Sequence, residues 1–137
     1  MPRRAVTLAE LLLVVVLIGV LLAIGIPRVV SVADRAALRA ARGDLLRSLD
    51  AARGAAIRRG QPIDLVSSGG MLQLRDGAAA VWQLPAPERF GVVLQGLATP
   101  IRFGPSGIAT GASNRTLRLH RGKDTLTVIL SRLGRIR

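Results

Sequence analysis

The chain has 137 residues, a length that suits one domain with an added segment. It contains no cysteine, which excludes disulfides, thiolate metal ligands and a thiol nucleophile. Its 20 Lys and Arg against 8 Asp and Glu give a formal net charge of +12, which favours a polyanionic partner: nucleic acid, anionic lipid or an acidic protein. The alternative interpretation of this charge is a generic arginine-rich surface.

The N-terminal region is apolar over residues 5–27, with a single charged side chain, Glu10. About 20 apolar residues in a helix cross a bilayer core, so this region predicts a membrane-spanning helix. A carboxylate inside such a helix is costly and indicates a function. A secretory signal peptide cleaved near residues 31–33 is the rival interpretation. The apolar run is longer than the usual 7–15 residues of such a signal, and a signal leaves Glu10 unexplained.

The helix is predicted to continue after Pro27 as an amphipathic half over residues 28–60, ended by Gly60 and the following Gln-Pro. Apolar residues at helical spacing predict one buried stripe, and opposite charges three residues apart predict a surface ladder of ion pairs. The stripe consists of Leu38, Leu45, Leu49, Ala52 and Ala56, and the ladder of Asp44, Arg47, Asp50 and Arg53.

Residues 61–137 change to the period of two that is typical of strands. Strands are predicted at 63–65, 71–74 and 80–84, followed by a hairpin of 116–121 and 125–131, with a flexible glycine-rich turn at 104–111. The predicted fold is therefore α+β, with the long helix packed on antiparallel β-sheets. His120 alternates with apolar residues and is predicted to face outward. No catalytic or metal-binding spacing is present, so we expect no enzyme activity, cofactor or small-molecule substrate.

The start of the chain, Ala5-Val6-Thr7-Leu8-Ala9-Glu10 and the apolar run behind it, resembles the processing site of type IV pilins and type II secretion pseudopilins. The resemblance implies that a prepilin peptidase removes residues 1–5 as a leader and methylates the new N-terminus, Val6. Glu10 would then be the fifth mature residue, as in that family. Ala5 and Val6 depart from the family pattern, which usually has Gly before the cut and Phe or Met after it.

The same resemblance implies roles in assembly. Glu10 would pair with the N-terminus of a neighbouring subunit, because two buried charges that pair cost less than one alone. Gly19 and Pro27 would weaken the helix so that it can loosen. The implied partners are other pilins or pseudopilins, the prepilin peptidase and an assembly platform in the bacterial inner membrane. The chain would be a single-pass protein there, with its C-terminal domain in the periplasm. The positive-inside rule alone favours the opposite orientation, because four arginines follow the span: Arg28, Arg35, Arg39 and Arg42.

Two C-terminal elements, Phe103-x-Pro105-x-Gly107 and the closing Gly134-Arg135-Ile136-Arg137, are similar to those of the GspH/FimT group of minor subunits. This resemblance implies a minor pseudopilin of a type II secretion system, part of the periplasmic pseudopilus that drives exoprotein export. The alternative is a FimT-like minor pilin of a type IV pilus that binds DNA for uptake through Arg132, Arg135 and Arg137. A simple closing turn is the other interpretation of this tail.

Overall fold

The computed structural model describes residues 7–110, 114–131 and 133–137, and leaves the side chains of 25–27 outside that description. The chain divides into two compact units, Met1–Ala33 and Asp34–Arg137. Helix α1 (Leu8–Arg59) begins in the first unit and ends in the second. The helix predicted to run through the apolar region and on to Gly60 is therefore confirmed from Leu8 onward.

In the second unit, helix α1 buries one face. All five residues of the predicted stripe are at most 1% exposed, and Ala41 joins them. Burying one leucine side chain stabilises a fold by roughly 1.5–3 kcal/mol, so this stripe holds the helix against the rest of the unit. The helix ends as predicted at Gly60, which has a left-handed φ of +65°.

In the described part of the chain, eight strands in two antiparallel sheets follow the helix. Their bounds are β1 Ile63–Ser68, β2 Met71–Asp76, β3 Ala79–Pro85, β4 Val93–Gln95, β5 Ile101–Phe103, β6 Ala109–Thr110, β7 Arg115–Arg121 and β8 Asp124–Leu130, with a 3-10 helix at Pro87–Phe90. The first sheet has the order β3-β2-β1-β5-β6 and the second the order β4-β7-β8. The α+β fold predicted from the sequence is confirmed.

One apolar core joins the helix to both sheets. The first sheet contributes Ile63, Leu65 and Phe103, all 0% exposed, and the second contributes Leu117 and Leu119, also 0% exposed. In β1, β2, β5, β7 and β8 the buried residues alternate with outward ones, as strands with one covered face require. Each sheet therefore has an inner face on the core and an outer face turned away from it.

Three short strands were not predicted from the sequence. β4 and β5 have three residues each and β6 has two, too few for an alternating pattern to stand out. The predicted glycine-rich turn at 104–111 is confirmed for its described part, which ends at Thr110: it joins β5 to β6, and the Gly104 amide donates to the Ile108 carbonyl at 2.9 Å. Its flexibility stays a prediction.

The predicted ladder of surface charges is confirmed for its first pair and was wrong beyond it. Asp44 does pair with Arg47, but Asp44 is only 8% exposed. Arg53 does not pair with Asp50: its Nη1 atom donates to the Gly134 carbonyl at 3.2 Å. The long arginine side chain reaches a backbone acceptor of the C-terminal tail, a contact that helix periodicity cannot foresee.

Candidate functional site

Glu10 lies in the first turn of helix α1. The Glu10 amide donates to Thr7 Oγ1 at 3.3 Å, and the Thr7 carbonyl accepts from the amides of Glu10 and Leu11 at 3.1 and 3.2 Å. Thr7 therefore caps the helix, and Thr-x-x-Glu is the sequence pattern of a capping box. A carboxylate here is also favoured by the helix dipole. This local role of Glu10 was missed in the sequence, although the Thr7-to-Glu10 spacing signals it.

The helix surface around Glu10 is apolar and exposed. Every residue of 8–24 is exposed, and a Cβ added at Gly19 would meet nothing within 4 Å. By length and composition, helix α1 contains a segment able to cross a membrane. The backbone of Pro27 is helical, while its side chain lies outside the description, as do all of Ala5 and Val6. Residues 8–24 therefore present an apolar surface with one carboxylate near its start.

The C-terminal tail pairs with the end of β8. Ile129 and Arg137 exchange two backbone hydrogen bonds, of 2.8 and 3.0 Å, and Ile136 forms a bridge to Leu130. Ile136 is partly buried against the core, whereas Arg135 and Arg137 are exposed. The tail is thus a short added strand, and its two arginines lie on the side away from the core. Arg132 lies outside the described residues.

The two C-terminal sequence elements meet on helix α1. A Cβ added at Gly134 would lie 2.8 Å from the Gly107 carbonyl oxygen, and one added at Gly107 would lie 2.8 Å from Ile57 Cδ1. Both glycines have a φ of +74°, a conformation that costs little only for glycine. Arg53 donates to Gly134 from the same helix face. Phe103-x-Pro105-x-Gly107 and Gly134-Arg135 therefore form one packing junction, which confirms a structural turn in the tail.

Comparison with known proteins matches residues 41–134 to a family model described as type II transport protein GspH. The chain belongs to the GspH family. Over its whole length it is 33% identical to the pilin-like protein PilA1 of Thermus thermophilus, of which the alignment covers 99%. The type IV minor pilin FimU of Pseudomonas aeruginosa shares the fold in two crystal forms, at 18% identity. The TM-scores are 0.64 and 0.61, covering 75% and 72% of this chain and 88% and 90% of FimU.

In this GspH-family chain, the outer face of the second sheet carries a group of arginines. Arg118 lies between the buried Leu117 and Leu119, so it projects on the same side as Arg135 and Arg137. Arg135 and Arg137 are two residues apart on extended backbone, about 6.5–7 Å. We call Arg118, Arg135 and Arg137 the basic face. Arg118 was missed as a candidate in the sequence because only strand pairing places it on the same face as the tail arginines.

Other ionisable side chains of the described strands make structural contacts. Arg102 donates to both carboxylate oxygens of Asp64 at 2.7 Å, across the β1–β5 pair, and this hydrogen bonding lowers the pKa of Asp64 and raises that of Arg102. His120 Nδ1 lies 2.8 Å from Thr125 Oγ1, and the ring is half-buried rather than fully outward. Among the described residues, no group of three or more His, Asp or Glu is placed to hold a metal ion.

Proposed function

We propose that the chain is a minor subunit of a pilin-like filament. The observation that carries this proposal is the exposed, apolar surface of helix α1 over residues 8–24, interrupted only by Glu10. Such a surface requires either lipid or the helices of neighbouring subunits around it. Before assembly, residues 6–27 anchor the chain in the inner membrane, with residues 28–60 and 61–137 in the periplasm. During assembly, other pilins replace the lipid.

Processing by a prepilin peptidase is part of this proposal. The peptidase cuts after Ala5 and methylates Val6, which makes Glu10 the fifth residue of a chain with a cationic N-terminus. The intact mass of the chain recovered from membranes tests this step. We expect a loss of residues 1–5 and the gain of one methyl group. A chain that begins after residue 33 would instead indicate a cleaved signal peptide, and a bulky side chain in Ala5→Leu should leave the leader attached.

The role of Glu10 in the filament follows from its surroundings. In an apolar bundle its carboxylate is costly unless a cation pairs with it, and the methylated N-terminus of a neighbour is such a cation. The pair would fix the axial position of one subunit against the next, so Glu10 acts in assembly rather than in catalysis. Gly19 and Pro27 would let the helix loosen as the subunit leaves the membrane.

Two filaments fit this role. The leading proposal is the pseudopilus of a type II secretion system, supported by the description of the matched family model. The alternative is a type IV pilus, supported by the likeness to PilA1 and FimU. Loss of the gene should abolish exoprotein export in the first case. It should abolish pilus-dependent functions, with export intact, in the second.

The basic face supports DNA as the ligand of the type IV alternative. Its arginines project outward from a folded tail, and contacts of arginine with phosphates give binding that weakens steeply with salt. The test is binding of the full-length chain in detergent to duplex DNA across a salt series. The variant combines Arg135→Ala and Arg137→Ala, and the matched control combines Arg39→Ala and Arg58→Ala at two exposed positions of α1, so that both variants lose two positive charges. If the tail variant and the control lose DNA affinity equally, the binding depends on the net charge of the chain and not on the tail arginines.

A further inference from the structure

Helix α1 enters the second unit through a cluster of four charges. Asp34 accepts a hydrogen bond from Arg121 Nε at 2.7 Å, and the next residue, Arg35, donates from Nε to Asp124 at 3.2 Å. Arg121 and Asp124 are themselves cross-strand partners at the β7–β8 turn. Two adjacent helix residues of opposite charge thus meet two turn residues of opposite charge, and the charges of the cluster sum to zero.

Little apolar packing supports the helix at this point. The first fully buried apolar residue among the described side chains of α1 is Leu38, at 1% exposed, and ahead of it only Ala37 is partly buried against the core. A cavity of about 180 Å³, lined in part by Arg35, Leu38 and Asp124, lies beside the ion pairs. Residues 34–37 are therefore attached to the second sheet mainly by charge.

The β7–β8 turn leaves room for the side chain of Asp34. Gly122 is the first of the two loop residues and has a φ of +57°, as expected in a type II′ hairpin. A Cβ at Gly122 would lie 2.7 Å from Asp34 Oδ2. The side chains of Asp34 and Arg121 are only 19% and 31% exposed, so this pair is shielded better than the Arg35–Asp124 pair, at 60% and 34%. The left-handed backbone of Gly122, its close approach to Asp34 and the opposite charges of Asp34 and Arg121 all favour contact of Asp34 with this turn.

We propose that these four residues form an ionic latch that sets where helix α1 becomes part of the second unit. When the latch is closed, the packed helix begins at Asp34. When it opens, residues 34–37 detach from the second sheet and the packed helix begins at Leu38, so the helical hydrogen bonds of this turn lose their support and break more often. This conformational device does not depend on which filament the chain joins, and it is independent of the filament proposal.

Hydrogen exchange of the full-length chain in detergent, read by mass spectrometry, tests the latch. Raising the salt from 0.01 to 1 M shortens the screening length from about 30 to about 3 Å. We expect amides 34–37 to exchange about two- to fivefold faster for each ion pair weakened, while amides 45–56 stay unchanged. Asp34→Asn combined with Asp124→Asn should reproduce the acceleration at low salt and remove the salt response.

Two further variants separate the latch from local effects. Arg35→Asp combined with Asp124→Arg reverses the charges of the more exposed pair, away from the close contact of Asp34 with Gly122, and should keep the slow exchange of the wild-type chain. Asp76→Asn removes the comparable Arg59–Asp76 pair at the other end of the helix, where the two side chains are 46% and 31% exposed, and should leave amides 34–37 unchanged. If neither salt nor the Asp34→Asn and Asp124→Asn pair of substitutions changes the exchange rate of amides 34–37, the proposal is overturned. Failure of the reversed pair to keep the exchange slow would overturn it as well.

Discussion

The close packing of Gly134 against Gly107 predicts that Gly134→Ala destabilises the fold. Alanine at a left-handed φ costs roughly 1–2 kcal/mol, and here its Cβ would also lie 2.8 Å from a backbone oxygen that cannot rotate away. The tail can relieve the clash by detaching, which sacrifices three backbone hydrogen bonds at about 0.5–1.5 kcal/mol each and the packing of Ile136. We therefore expect a destabilisation of about 3 kcal/mol.

Gly60→Ala is the matched control for this experiment. Gly60 has a φ of +65°, close to that of Gly134, yet an added Cβ would meet nothing within 4 Å. Its cost should be backbone strain alone, roughly 1–2 kcal/mol. Thermal unfolding followed by the fluorescence of Trp82, the single tryptophan, should separate the two variants, at about 4–8 °C for each kcal/mol. Equal falls in Tm would refute the junction.

Three other variants probe the fold and the tail. Leu45→Ala, at a site that is 0% exposed, should cost about 2–5 kcal/mol in chemical unfolding, and a loss under about 1 kcal/mol would contradict the assigned core. The pKa of Asp64 is lowered from 3.8, so its pair with Arg102 stabilises the fold above that pH and loses its effect as the pH falls through the lowered value. Asp64→Asn should flatten the acid limb of the stability–pH curve, and an unchanged limb would contradict this. Arg53→Met should speed hydrogen exchange at amides 135–137 with little effect on amides 71–76, and uniform acceleration would contradict a local role.

The sequence predicted the parts of the fold that follow from local periodicity. The apolar run and the stripe from Leu38 to Ala56 repeat at helical spacing over many turns, so their signal accumulates. The β1–β3 meander and the β7–β8 hairpin are bounded by glycine turns. β5, with three residues, is defined by its partners β1 and β6 rather than by its own pattern.

The residues of the candidate site also divide into those that local sequence predicts and those that only the tertiary structure brings together. The assignment of Glu10 rests on a local motif, and Thr7 adds a capping function that the same motif encodes. Arg118 joins the basic face only through strand pairing, and Arg53 contacts Gly134 across 81 residues of sequence. Contacts of that kind depend on tertiary structure, so residue spacing alone could not reveal them. The same limit explains why the predicted charge ladder on the helix was wrong beyond its first pair.

The most direct test of the filament account is incorporation of Glu10 variants. Filaments sheared from cells and membranes from the same cells would be probed for the wild-type chain, Glu10→Gln and the control Gln73→Glu, which makes the reverse exchange away from the helix. The account predicts Glu10→Gln in the membrane fraction at the wild-type level and its absence from filaments, with Gln73→Glu present in both. Wild-type incorporation of Glu10→Gln would contradict the role of this carboxylate in assembly.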